Sequence, residues 1–387
     1  MADRYLVLAG GYDTKNVGDY AMLKLFTELA SEKGLGVKLL SRHDHEVLTK
    51  VYQADEIIEN FEFENKEASR GRFFRGFNVG ENTDHLGSLV QHLLKSEGLV
   101  IGGGRLLVDF VDGVMRGPLS YWSTLVTICK FLGVPVHIYA MTFIGLRTDR
   151  GKEFVRFIVE NCDSVGVRDV KSEKVLRDLG CKNPNVYVAA DPAFALDWQP
   201  SDLRSKRVAV SVRYINDDYS GMPYERYLTM MGWVVDAIKQ NGFEPVGIPH
   251  CYYGLDDPYV DDRTILADIK QKFGADFVQE EWLDIAQYND FYRTTCALIG
   301  IRRHSMLFAA ASGVPVFGIS ENDNAANACA DIDADAPIAL TDSKDVVCSR
   351  ISQFLAEHVS LRERQKNAFQ DRASGLKELY EQAPFWP

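Results

Sequence analysis

The chain reads as an α/β protein of two domains, and three observations predict it. Short β-branched runs alternate with longer amphipathic patterns over nearly the whole length, the rhythm of strand–helix–strand units. The 387 residues exceed the roughly 250–300 at which a single core stops growing. The alternation pauses at the polar, proline-bearing stretch Trp198-Gln199-Pro200-Ser201-Asp202 before a fresh apolar run begins at Arg207. The expected domains are 1–197 and 203–345, each Rossmann-like and facing a cleft. Residues 346–387 are expected to form a charged helix that packs back on the first domain.

Each element follows from its local pattern. Tyr5-Leu6-Val7-Leu8-Ala9 is a buried-strand run closed by Gly10-Gly11. A helical pattern covers 19–33 and stops at Gly34. Strands are expected at 37–40 and 56–58. Residues 59–86 are rich in Phe, Arg, Asn and Glu without a period and read as a surface excursion. A helix at 84–96 precedes the strand 98–101, which runs into Gly102-Gly103-Gly104. Helices at 119–132, 150–161 and 169–179 then alternate with strands at 134–139, 164–167 and 186–189. In the second half, strands are expected at 207–212, 243–248, 296–301 and 314–319. Helices are expected at 223–240, 262–273, 283–294, 304–312 and 343–381.

Composition removes several function classes. Lys plus Arg number 43 against 55 Asp plus Glu, a net charge of -12, so a dedicated nucleic-acid binder with a basic face is not expected. No apolar run reaches the roughly 18–20 residues of a membrane helix. Met1-Ala2-Asp3-Arg4 lacks the basic start of a signal peptide, and a cytoplasmic protein is expected. Seven cysteines stand no closer than nineteen residues apart, without zinc spacing, and read as reduced, packed thiols. No metal site is expected.

Three loops carry the chemistry. Arg302-Arg303-His304 ends an apolar strand and starts a helix. Two guanidinium forks beside a helix N-terminus suit an anion, and the imidazole suits proton transfer. A structural Arg–Asp pair with a packed histidine is the competing reading. Arg213, at the end of another second-domain strand, can reach the same pocket. Gly102-Gly103-Gly104 lets backbone N–H groups approach a ligand, or makes only a tight turn. In Asn16-Val17-Gly18-Asp19, Asp19 can cap the helix that begins there, while Asn16 and Asp19 can contact sugar hydroxyls. His250 follows a strand end and can line the cleft.

These loops, in this order, resemble the polysaccharide pyruvyl transferase family. The resemblance covers about residues 5–320. It rests on Asn16-Val17-Gly18-Asp19, Gly102 to Leu107, Gly166-Val167-Arg168-Asp169, Ala190-Asp191-Pro192-Ala193, Val210 to Arg213, and Arg302-Arg303-His304 with Gly313-Val314-Pro315. It implies a fold like the B-type glycosyltransferases and phosphoenolpyruvate as donor, with no further cofactor. The product is a pyruvyl ketal on a sugar or lipid-linked glycan acceptor of a cell-surface polysaccharide. Localisation is then cytoplasmic, at or near the inner face of the membrane.

The resemblance places the family's Arg-x-His motif on Arg302 and His304 and its donor-binding arginine on Arg213; from the residues themselves, Arg303 and Gly102–Gly104 join the donor side, and Asn16, Asp19 and His250 the acceptor side. The chemistry of these residues makes His304 the proton donor and Asp19 a base or orienting group. Arg303 stands where the family commonly has leucine, and Ile319 to Asn324 where it carries Tyr-x-x-Lys. A nucleotide-sugar glycosyltransferase and a non-catalytic sugar- or anion-binding relative are the alternatives.

Overall fold

The computed structural model describes residues 4–43, 45–60, 85–109, 118–143, 146–215, 221–254, 257–321 and 323–387. Most of the expected 59–86 excursion lies outside them. The chain divides into two compact units: Met1–Asp13, Met22–Pro192 and Gly375–Pro387 form the first, and Thr14–Ala21 with Ala193–Ser374 the second.

The sheet of the first unit contains β1 (Tyr5–Ala9), β2 (Gly36–Ser41), β3 (Glu56–Glu59), β4 (Leu99–Gly104), β5 (Val136–Met141), β6 (Ser164–Val167) and β7 (Val186–Val188). Their order is β3-β2-β1-β4-β5-β6-β7, and every pair is parallel. All residues of β1, β4 and β5 are buried, which is why these strands read as continuous apolar runs instead of alternating ones. The connecting helices are α1 (Val17–Glu32), α2 (His45–Lys50), α3 (His85–Lys95), α4 (Pro118–Leu132), α5 (Asp149–Glu160) and α6 (Val170–Asp178).

The second unit repeats the plan. Its strands are β8 (Arg207–Ser211), β9 (Glu244–Gly247), β10 (Asp276–Phe277), β11 (Ala297–Gly300), β12 (Val316–Ser320) and β13 (Ile338–Ala339). They lie in the order β10-β9-β8-β11-β12-β13, again all parallel. Its helices are α7 (Tyr224–Gln240), α8 (Asp262–Phe273), α9 (Ala286–Tyr292), α10 (Arg303–Ala311), α11 (Asp323–Asp331) and α12 (Lys344–Ala373).

In each sheet the first strand is third in order and the winding reverses beside it, between β1 and β4 and between β8 and β11. Ligands of such sheets bind outside the strand ends at this reversal. Gly10-Gly11 and Gly102–Gly104 stand at the first reversal. Arg213 and Arg302 stand at the second.

Two boundaries depart from expectation. Residues 14–21 join the second unit because Val17 N–H donates to His250 O (3.1 Å) and Tyr252 N–H to Lys15 O (3.1 Å). The segment 346–387 is not one helix. Helix α12 belongs to the second unit, where Ile351, Phe354 and Leu355 enter the core with Val234 and Val235. The chain then breaks at Gly375, and a short α13 (Leu376–Glu381) follows in the first unit. There Tyr380 meets Tyr139 edge-on at 5.2 Å, and Tyr380 donates to Ala190 O (2.7 Å). The short α2, β10 and β13, and the Ala/Asn-rich α11, went unread because their patterns are too brief or too polar to show a period.

Candidate functional site

The site is built where β8 and β11 end. Arg302 is the N-cap residue of α10, in extended backbone conformation and without a side-chain capping bond. Its side chain instead turns to Asp262, in the first turn of α8. Nε donates to Oδ2 (2.7 Å), Nη2 donates to Oδ1 (2.5 Å), and Nε also reaches Val212 O (3.1 Å). The carboxylate is fully buried, and the guanidinium is 18% exposed.

Asp262 Oδ2 accepts further from the backbone N–H of His250 (2.9 Å) and Cys251 (3.0 Å). Four donors thus converge on the two oxygens, three on Oδ2 and one on Oδ1. Burial pushes the Asp262 carboxyl up, against Arg302 and the two amides. Burial would lower the Arg302 guanidinium, but Asp262 outweighs it and holds it above its ordinary value. The product is a fixed, permanently charged fork. Among the described residues its Nη1 makes no hydrogen bond.

His304, two residues on, packs against the start of α1. A Cβ placed on Gly18 would lie 1.8 Å from His304 Nδ1, so only glycine admits the ring there. Asn16, not Asp19, caps α1: its Oδ1 accepts from Gly18 N–H (3.1 Å), and its carbonyl from the N–H groups of Asp19 (3.0 Å) and Tyr20 (3.3 Å). Asp19 stands in the first turn, where a carboxylate suits the helix dipole. Asn16 and Asp19, expected on the acceptor side of the first domain, therefore share the second unit with His304.

Arg213 pairs with Glu321 (Nη1 to Oε1, 2.7 Å), a carboxylate just past β12 whose side chain is 7% exposed. Two expected site residues are engaged elsewhere. Arg303 is buried, and its Nη2 donates to Asp331 Oδ2 (2.8 Å), bracing α10 against α11. An arginine that packs inward with its own carboxylate occupies a position where the family carries leucine. His250 is 1% exposed, its ring enclosed by Tyr288, Tyr292 and Phe308. Nδ1 donates to Ile248 O (3.2 Å), and Nε2 accepts from the Tyr292 hydroxyl (3.3 Å). Burial, reinforced by the Arg302 charge, lowers it to about 3. His250 is a neutral core histidine, and its backbone N–H, not its ring, serves the site.

In the first unit, Gly103 and Gly104 have φ of 83° and 87°, a conformation that favours glycine, at the end of β4. A Cβ on Gly103 would press on Met22 Cε at 3.0 Å and the Tyr12 hydroxyl at 3.1 Å. Arg168 and Asp191, from two of the matching motifs, form a buried ion pair (3.1 Å). Asp169 caps α6 by accepting from Ser172 N–H (2.7 Å). These motifs thus have structural work independent of any ligand.

Asp262 was not legible as part of the site, because an acid after Asp261 at a helix start reads as a capping pair. Glu321, the partner of Arg213, stands 108 residues from it in sequence. All seven cysteines are free, and five are buried. Among the described residues no group of three or more His, Cys, Asp and Glu side chains is placed to hold a metal ion, and no helix is long and apolar enough to cross a membrane.

The family model for polysaccharide pyruvyl transferase matches residues 16–324. The chain belongs to this family. It is a transferase with a place in polysaccharide biosynthesis. A search of curated protein sequences finds no match.

The fold of this pyruvyl transferase family member is similar to that of Anabaena Alr3699/HepE in complex with UDP and glucose, at 9% identity over 98% of this chain and 97% of the other, with a TM-score of 0.62. It is similar to a glycosyltransferase from Rickettsia africae ESF-5 (10% identity, 98% and 97% covered, TM-score 0.60). It is also similar to a putative UDP-N-acetylglucosamine 2-epimerase from Listeria monocytogenes (10%, 97% and 95%, 0.58). At these identities the likeness shows the fold, which is that of the B-type glycosyltransferases.

Proposed function

We propose that the enzyme transfers the pyruvyl group of phosphoenolpyruvate onto two hydroxyls of one sugar, as a ketal, in building a cell-surface glycan. The observation that carries this reading is Arg302. It is a guanidinium clamped by Asp262 and still 18% exposed, two residues from an imidazole seated on the start of α1. A fork held in this way is preorganised for a carboxylate or a phosphate. Phosphoenolpyruvate carries both.

The chemistry follows from the residue types. His304, as imidazolium, protonates the methylene carbon, and the central carbon becomes electrophilic. A sugar hydroxyl adds there as Asp19 takes its proton. Phosphate leaves with the electrons of its C–O bond. The second hydroxyl then adds to the same carbon, gives its proton to the now neutral His304, and closes the ketal. Arg302 and Arg213 neutralise the donor's anionic groups throughout. The acceptor is a sugar or a lipid-linked glycan.

The test is thermal stabilisation by phosphoenolpyruvate compared with UDP-glucose and UDP-N-acetylglucosamine, in the wild type and in Arg302→Lys. Lysine keeps a charge on Asp262 but loses the fork. A ligand at 100 times its dissociation constant adds about 2.7 kcal/mol. Stabilisation by phosphoenolpyruvate alone, lost in Arg302→Lys, is the expected result. Stabilisation by a nucleotide sugar instead would replace this reading with a glycosyltransferase. His304→Ala is expected to keep donor binding and lose rate by about 100-fold or more. A loss of affinity alone would mark a binding protein.

A further inference from the structure

We infer that Tyr214 and Tyr259, steadied by Tyr224, form the surface on which the pyranose ring of the acceptor stacks. The assignment of an acceptor rests on the proposed transfer; the surface itself does not. Tyr214 leaves β8 directly after Arg213, and Tyr259 sits in the single turn Pro258–Val260 ahead of α8. Their rings are stacked, 4.9 Å apart and 20° from parallel. Tyr224, at the start of α7, closes on both, at 5.7 Å from Tyr214 and 5.2 Å from Tyr259. Its hydroxyl donates to Asp268 Oδ2 (2.6 Å), which fixes its ring. All three pack on the core of the second unit, and each keeps part of its surface exposed.

Three aromatic rings from three separate elements meet beyond the strand ends, beside the arginine assigned to the donor. Core packing asks for burial, which these rings only partly have. A rigid aromatic surface loses little side-chain entropy on binding, and phenol rims can bond hydroxyls. The C–H face of a pyranose matches such a ring. The charge around it selects against an anion: Asp257, Asp261 and Asp268 border the cluster, and Asp261 alone among them has an arginine, Arg263, as partner. A neutral, hydroxyl-rich ring is the chemistry this surface takes, while the anionic donor is drawn to the arginines.

Saturation-transfer NMR with a panel of methyl pyranosides, and with UDP as the competing probe, tests the assignment on the full chain. Tyr214→Ala, Tyr259→Ala and the bulk-conserving Tyr259→Leu are compared with wild type at matched melting behaviour. Transfer to the C–H protons of at least one pyranoside, reduced at least threefold in all three variants, is expected. Stabilisation by phosphoenolpyruvate should be unchanged in the same variants, which separates this surface from the donor site. Absence of transfer to every pyranoside, transfer unchanged in the variants, or transfer to the uracil ring lost in them would each overturn the assignment. A loss of phosphoenolpyruvate stabilisation in wild type would instead count against the donor reading.

Discussion

Asp262→Asn is the sharpest perturbation the structure offers. Three donors, from Arg302 Nε and the amides of His250 and Cys251, converge on Oδ2. An asparagine must therefore keep its oxygen at that position and turn its NH2 toward Arg302 Nη2. Donor then faces donor across a gap that is 2.5 Å in the native pair. The guanidinium cannot shed its proton and is left as an uncompensated, largely buried charge. Removing one partner of a buried pair costs about 3–5 kcal/mol, and the 18% exposure of Arg302 favours the lower end. We expect a loss of about 3 kcal/mol in urea unfolding followed by circular dichroism. Arg302→Met removes the stranded charge, so Asp262→Asn/Arg302→Met should be more stable than Asp262→Asn by about 1 kcal/mol or more. A single-variant loss below about 1 kcal/mol, or a double variant less stable than the single, would refute the clamp.

Other predictions follow from neighbouring contacts. Gly18→Ala would ordinarily gain about 0.5–1 kcal/mol in a helix, but here its Cβ overlaps the His304 ring, so a loss of about 1–3 kcal/mol with reduced turnover is expected. A stabilised, fully active variant would show that the ring is not held there. His250 stays neutral in the fold down to about 3, while the unfolded chain takes up its proton near 6.5. Its contribution to stability is therefore complete above about pH 6.5 and is lost as pH falls toward 3, at about 1.4 kcal/mol per pH unit. Unfolding free energies measured between pH 7 and 4.5 should fall less steeply in His250→Gln than in wild type. Equal slopes would place the acid sensitivity elsewhere.

Much of the architecture was written in local pattern. The runs at 5–9, 164–167 and 207–212 are apolar because their strands are covered on both faces, and they sit within a residue of the observed strands. The site was legible as residue types at strand ends: Arg213, Arg302 and His304 do stand where strands of the second sheet finish. Their partners were not legible. Asp262 lies 40 residues from Arg302 in sequence, and Glu321 lies 108 from Arg213. Nothing local distinguishes an acid that clamps a guanidinium from one that caps a helix. His250 shows the reverse error, since a histidine after a strand end reads the same whether its ring faces solvent or Tyr288 and Phe308.

By itself, the sequence determined the class, the strand–helix order, the anion-seeking residue types and, through motif order, the family. Period, glycine placement and residue chemistry are local properties and survive in one dimension. Only the tertiary structure decided that 14–21 folds with the second unit, that Arg303 and His250 turn inward, and that Arg302 is held by Asp262. Each is a choice between competing partners distant along the chain. Such choices are settled by which charges and donors can be satisfied once water is excluded, a condition the sequence does not state.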